Sequence, residues 1–410
     1  MILRPTRRGV LLGGLAAAFA GGSGLSGALA DVPVESFEAA LAQARGQTVY
    51  FNAWGGDQRI NDYIAWAGGE LAARFGITLK HVKLSDTAEA VNRVLAGKIA
   101  GQNDGGGIDL IWINGENFAA MKAKGLLHGP ILHLLPNMHF VDPKRKPTVL
   151  VDFTIPTDGY ESPWGMAQLV FFHDSARLPE PPRTLADLLD WARRNPGRFT
   201  YPAPPDFIGS TVLKQFLLMS SESRAPFDWP IEVARFDTVT APLWDYLAEL
   251  APNLWRRGRN YPANSAALRQ LLADAEVDIS MAFNPGDASS AIAQGLLPRS
   301  VRSFVLDGGS IGNTHFVAVP FNANAKAGAI VAANFLLSPE AQARKQNPEI
   351  WGDPTVLEVD LLDPPERALF DALPLGVATL SPQELGPVLP EPHPSWMTAL
   401  EQRWVQLFGS

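Results

Sequence analysis

Short apolar runs alternate with segments of helical apolar spacing along most of the chain. The first run, Val49-Tyr-Phe-Asn-Ala-Trp54, predicts a buried strand. Gly55-Gly56 lets the backbone turn sharply, and Asp57 stands at the N-cap position of a helix carrying Ile60, Tyr63, Ile64, Trp66 and Ala67 at helical spacing. A helix over 34–45 precedes this strand, and the helix that follows it runs to Phe75. A second strand (76–84), a helix over 88–100 capped by Ser85-Asp86-Thr87, a third strand (108–113) and a short helix (118–124) complete a βαβαβ unit. Such a unit implies a parallel sheet with right-handed crossovers.

The alternation breaks between Leu126 and Pro156 and resumes with a long apolar run, Gly159–His173, which predicts a crossing into a second domain. Helices follow from Thr184, over 212–219, 241–250 and 263–275, with strands over 197–202 and 277–283 and a helix over 288–294. Two successive strands, 301–306 and 314–320, would carry the chain back to the first domain. Helices over 325–337 and from Ser338 follow, and the tail from Pro348 reads as helical with proline breaks.

Length and composition narrow this picture. A chain of 410 residues exceeds one ordinary core, so two domains are expected. The formal charge of −8 disfavours a nucleic-acid partner, which requires a basic face. With no cysteine there is no disulfide, thiol catalysis or thiolate metal site. Arg4, Arg7 and Arg8, a short apolar stretch (9–20) and Ala28-Leu-Ala30 before Asp31 have the layout of an export signal over 1–30. Thr6-Arg7-Arg8 is similar to the twin-arginine form, and no Cys follows the cleavage site to carry a lipid. The expected location is the periplasm.

Four strand exits concentrate the candidate chemistry: Trp54–Asp57, Asn114–Asn117, Pro202–Thr211 and Asn284–Asp287. Each offers backbone N–H groups with Asn, Asp, Ser or Thr side chains, as any ordinary helix cap would. Their number and their division between the two halves of the chain suggest a shared cleft. Candidate ligand-binding residues are Trp54, Gly55, Gly56, Asp57, Asn114, Glu116, Asn117, Trp164, Asn284, Asp287 and Asn313. Gly209-Ser210-Thr211 is the candidate anion site, combining a flexible backbone and two hydroxyls with a positive helix end. Trp54 and Trp164, beside glycines at strand ends, are the favoured aromatic faces. Trp112, inside an apolar strand, is expected in the core. Gly308-Gly-Ser310-Ile-Gly312 fits the G-x-S-x-G nucleophile elbow of a secreted serine hydrolase, but a β-branched run follows Ser310 where that motif needs a helix. No metal-ligand spacing occurs among the seven histidines, and no cofactor is expected.

The order of elements resembles the extracellular solute-binding proteins of ABC importers. So do Pro163-Trp-Gly-Met-Ala-Gln-Leu-Val-Phe-Phe-His173, Leu178–Leu188 and Ala333–Gln342. Phe51–Ile64 and Ile108–Phe118 look like the YnjB-like subgroup. The resemblance implies an α/β, two-lobed periplasmic-binding-protein fold: each lobe a mostly parallel sheet flanked by helices, joined by crossing strands, with a helical C-terminal tail. It divides the chain into lobe 1 (31–160 plus 308–345), lobe 2 (161–307) and the tail (346–410). It implies no catalysis, a monomer closing on a small-molecule ligand, and delivery to an ABC permease in the inner membrane; the tryptophan and acidic loops with Gly209–Thr211 suit a small polar organic or anionic ligand, thiamine-like or phosphorylated. None of the six tyrosines is adjacent to another, unlike the paired tyrosines of ferric-iron binders.

Overall fold

The structure is a computed structural model that describes residues 34–374 and 376–409. The expected export signal lies outside the described residues. Strand Thr48–Trp54 pairs in parallel with Thr78–Leu84 on one side and with Leu110–Ile113 on the other. The central strand therefore comes first in sequence and its neighbours follow on either side. With right-handed crossovers this puts helices Gln58–Phe75 and Ala88–Ile99 on opposite faces of the sheet. The crevice between the exits of Thr48–Trp54 and Leu110–Ile113 is thus a topological switch point, where ligands bind in open α/β sheets.

Strand Ser310–Pro320 extends this sheet antiparallel to Leu110–Ile113 and also pairs antiparallel with Glu161–Gln168. These two long strands link the halves of the molecule. Immediately after Gln168 the chain changes sheets: Val170–Asp174 pairs with Ile279–Ala282 and Val301–Phe304 in a separate three-stranded sheet. That smaller sheet is antiparallel in both pairings, where the resemblance implies a mostly parallel sheet. Its core is built from Phe171, Phe172, Phe199, Tyr201, Phe216, Leu243 and Met281, all nearly inaccessible to solvent.

Two predicted elements differ. The segment 197–202 forms no strand. Phe199 and Tyr201 are buried, but the backbone bonds to loops: the carbonyls of Arg198 and Phe199 accept from Asp278 N–H and Trp255 N–H. The next helix starts earlier than its apolar spacing suggests, at Phe207, because the Asp206 carboxylate caps the N–H groups of Ile208 and Gly209. Ser310 opens a strand, and its hydroxyl accepts a hydrogen bond from Gln168 Nε2 at 3.0 Å. The strand–helix geometry of a nucleophile elbow is therefore not formed.

The tail carries helices Pro364–Asp371, Pro382–Leu385 and Pro394–Phe408. The last packs on helix Phe207–Ser220 of the second half and also touches helix Glu116–Ala123 of the first. Among the described residues no helix is long and apolar enough to cross a membrane.

Candidate functional site

A cleft of about 850 Å³ lies between the two halves, at the switch point. It is lined by three of the expected exits, Trp54–Asp57, Asn114 with Glu116 and Asn117, and Asn284 with Asp287. The fourth exit contributes Ala203–Ile208 and not Gly209–Thr211. Gly56 is required locally: a Cβ there would lie 2.3 Å from the Trp54 ring, which folds over it. Gly115, at φ +58°, supports the second exit, and its N–H donates to Asp152 Oδ2 at 2.7 Å.

Five expected site residues do not line the cleft. Trp164 is fully buried, its ring packed against those of Phe51, Tyr63, Trp112 and Trp351. Trp112 and Trp351 line the cleft, with Trp54, Phe207, Phe283 and His315. The expectation for Trp112 and Trp164 is thus reversed: Trp164 is the base on which the lining rings rest. Gly209, Ser210 and Thr211 are buried within helix Phe207–Ser220. Asp206 occupies the Gly209 N–H, Ser210 Oγ donates to Glu401 Oε1 at 2.5 Å, and Thr211 Oγ1 donates to the Phe207 carbonyl at 2.7 Å. The helix end proposed for an anion is therefore already neutralised by a carboxylate. Asn313 is buried and donates through Nδ2 to Glu391 Oε1 at 3.3 Å.

Several lining residues carry no clear sequence signal. Arg59 reaches from the first turn of helix Gln58–Phe75 to Asp57 (2.9 Å) and, across the cleft, to Asp287 (2.5 Å). Arg269, on helix Ser265–Ala273, meets the same Asp287 at 3.1 Å. The result is an alternating chain Asp57–Arg59–Asp287–Arg269, nearly buried throughout. Burial raises the pKa of Asp57, but the hydrogen bond and charge of Arg59 outweigh it and hold the carboxyl below its ordinary value. An arginine in the first turn of a helix opposes the macrodipole, and this was the one available hint. Trp351-Gly352-Asp353 repeats the aromatic–glycine–acid grammar of Trp54–Asp57, which was the hint for that wall.

The Trp351 wall meets the second half directly. Asn284 Nδ2 donates to the Trp351 carbonyl at 3.4 Å, and a Cβ on Gly286 would fall 2.3 Å from the Gly352 carbonyl oxygen. Asp353 is held by Lys345 Nζ at 2.5 Å and His315 Nε2 at 3.1 Å. Burial pushes its pKa up, but these two partners more than offset that and leave it lowered.

The other end of the cleft is different. Glu116 begins helix Glu116–Ala123 on the opposite face of the sheet from Arg59, and its Oε1 accepts from Asn117 Nδ2 at 3.0 Å. Burial foremost, with Glu401 and Asp86 nearby, raises its pKa to about 7 against the hydrogen bond from its own backbone N–H and the charge of Lys214. Lys214 is itself fully buried and committed to Glu391 at 2.6 Å. Burial likewise lifts Asp206 to about 6 despite the two N–H groups it caps. Across the whole lining, six carboxylates (Asp57, Asp86, Glu116, Asp206, Asp287, Asp353) face three basic side chains (Arg59, Lys83, Arg269), and Asp353 is answered from outside the lining by Lys345. Two of the three cations are already engaged in the cross-cleft chain.

A two-lobed α/β molecule with crossing strands and a lined interlobe cleft defines the binding-protein class, and comparison with known proteins places it further. The model of the bacterial extracellular solute-binding protein family matches residues 66–359. Protein YnjB of Escherichia coli (strain K12) is 46% identical over 368 residues, covering 90% of this chain and 92% of that protein. The chain belongs to the bacterial extracellular solute-binding proteins. The same fold is seen in the periplasmic binding protein AfuA from Actinobacillus pleuropneumoniae, solved with fructose-6-phosphate bound (TM-score 0.61, 14% identity, 88% of this chain and 99% of that one). It is also seen in the Tp0655 (TpPotD) lipoprotein of Treponema pallidum (TM-score 0.63, 14% identity, 88% and 99%). Its family is that of extracellular solute-binding proteins, and its fold is shared with periplasmic binding proteins.

Proposed function

We propose that this protein captures an organic cation in the interlobe cleft of a periplasmic monomer and delivers it to an inner-membrane ABC permease, without catalysing a reaction. The observation that carries this reading is the surplus of carboxylates on a lining that also presents Trp54, Trp112 and Trp351. Aromatic faces and carboxylates both attract a cation, and each is worth more out of water. A phosphorylated ligand loses its expected seat, because Gly209–Thr211 are buried in a helix whose end Asp206 already caps. A thiamine-like ligand, which is cationic and aromatic, stays within the proposed class.

The reading retains the division of lobes at 31–160 plus 308–345 and at 161–307, with the tail of 346–410 bracing both. Binding would proceed by closure, with the ligand supplying the differential affinity that favours the closed state. Thermal unfolding tests it. Quaternary ammonium or thiazolium compounds should raise the melting temperature by a few degrees at saturating excess. A shift with sugars or phosphate esters but none with any cation would sink it.

A further inference from the structure

We propose that Glu116 is the specificity-determining anion of this cleft and that it exchanges a bound proton for the cationic solute. The inference rests on the cation reading above and adds the residue and its protonation chemistry.

The geometry of the corner carries it. Helices Ala88–Ile99 and Pro394–Phe408 both pack on helix Glu116–Ala123, and helix Phe207–Ser220 packs on Pro394–Phe408. The start of helix Ala88–Ile99 brings Asp86, and helix Pro394–Phe408 brings Glu401, four residues beyond Met397, which lines the cleft. Helix Phe207–Ser220 brings Lys214, whose ammonium is held by Glu391 and lies over the rings of Phe153 and Phe207. Beneath Gly115 lie Asp152 and Glu161, both completely buried, and burial holds both far above their ordinary values. Two carboxyl groups in so apolar a place cannot both ionise, so this pair adds little negative charge to the corner. Asp206 faces the same cleft as a helix cap.

Glu116 thus has two ionisable acids around it, Asp86 and Glu401, and one neighbouring ammonium that is already engaged. Its carboxylate accepts from Asn117 Nδ2 and from its own backbone N–H, and no cation is paired with it among the described ion pairs. Without solute, the least costly counter-ion for such a carboxylate is a proton, and the position of its titration near neutrality agrees. On capture, the Glu116 carboxylic acid gives its O–H proton to solvent and the carboxylate pairs with the incoming cation. The positive charge at the corner is conserved. A neutral or anionic solute has no means of displacing the proton, and so the exchange is also a filter.

Isothermal titration of the full-length mature protein tests this with tetramethylammonium, choline and thiamine, whose quaternary nitrogens stay charged at every pH. Each is titrated in phosphate and in Tris, buffers of contrasting ionisation enthalpy, between pH 6.5 and 8.5. We expect release of about half a proton per bound cation at pH 7 and almost none at pH 8.5. The dissociation constant should weaken toward tenfold per pH unit below 7. At pH 7 and above, where Asp206 is largely ionised, Glu116→Gln should bind more weakly, release almost no proton and lose the pH dependence. Binding without proton release in the unmodified protein at pH 6.5 overturns the exchange and leaves the cation reading standing, and that result does not depend on any variant folding. Release that persists in Glu116→Gln at pH 7 and above also overturns it. Failure of all three probes to bind at pH 8.5, where Glu116 is ionised, overturns both.

Discussion

The two ends of the cleft use charge in opposite ways. At one end Asp57, Arg59, Asp287 and Arg269 alternate in sign and satisfy one another from lobe to lobe, at 2.5 to 3.1 Å. At the other, Glu116, Asp86 and Glu401 share a corner with a lysine that Glu391 already holds. The first arrangement is complete without a ligand and joins the halves. The second is incomplete and retains a proton where a cation would serve. Charged residues in a cleft are therefore not equivalent evidence of ligand chemistry: those paired with each other hold shape, and those left over select the solute.

The largest effect should come from breaking the complete end. Asp287→Ala leaves Arg59 and Arg269 facing each other in a nearly buried site with Asp57 as the remaining counter-charge. Stranding buried charge in this way costs about 3 kcal/mol. Urea unfolding should show it, together with a larger radius of gyration in solution scattering as the halves part. A variant as stable and compact as the parent would show that this chain of ions does not hold the lobes.

Glu116→Gln sharpens the contrast, because it should weaken binding and strengthen the fold. Losing a charge-assisted contact with a cation costs about 2 kcal/mol, or roughly thirtyfold in affinity. The sign for stability runs the other way. Glu116 titrates at about 7 in the folded protein against an ordinary 4.5, so the folded state binds more protons between those values. Stability falls as pH rises through that window and stays reduced above it. Glutamine removes the penalty, so the variant should be more stable by about 1–3 kcal/mol at pH 8 and nearly unchanged at pH 4. Equal melting curves at pH 8 would refute the strained state assigned to this carboxyl.

The smallest effect is expected at the support of the acidic corner. Ser210→Ala removes the donor to Glu401 Oε1 and should cost about 1 kcal/mol of stability. Because Ser210 is buried in its helix, inorganic phosphate should stabilise neither the parent nor this variant. Protection of the parent alone by phosphate would restore the anion site to consideration.

Much of the scaffold was legible from residue pattern. The Trp54–Asp57 exit, the capping by Asp57, the crossing run and the return strand follow from local apolar spacing and turn chemistry, which act within a few residues. What failed was set by a cap lying outside the apolar stripe and by distant contacts. Helix Phe207–Ser220 absorbed Gly209–Thr211 because one aspartate three positions upstream of Gly209 capped it earlier than its apolar stripe began. Trp112 and Trp164 exchanged roles because strand pairing and the Trp351 segment, some 190 residues beyond Trp164, decide which ring faces the cleft. Arg59 and Arg269 acquire meaning only through Asp287, more than 200 residues from Arg59. The resemblance to solute-binding proteins supplied the two-lobed architecture that local pattern alone could not.

The most direct measurement is native mass spectrometry of the protein isolated without unfolding from the cells that export it, beside Glu116→Gln prepared identically. The solute released from the parent should be a small organic cation, absent or much depleted in the variant. A phosphorylated anion or a neutral sugar, carried equally by both proteins, would contradict the assignment of this cleft to a cation held at Glu116.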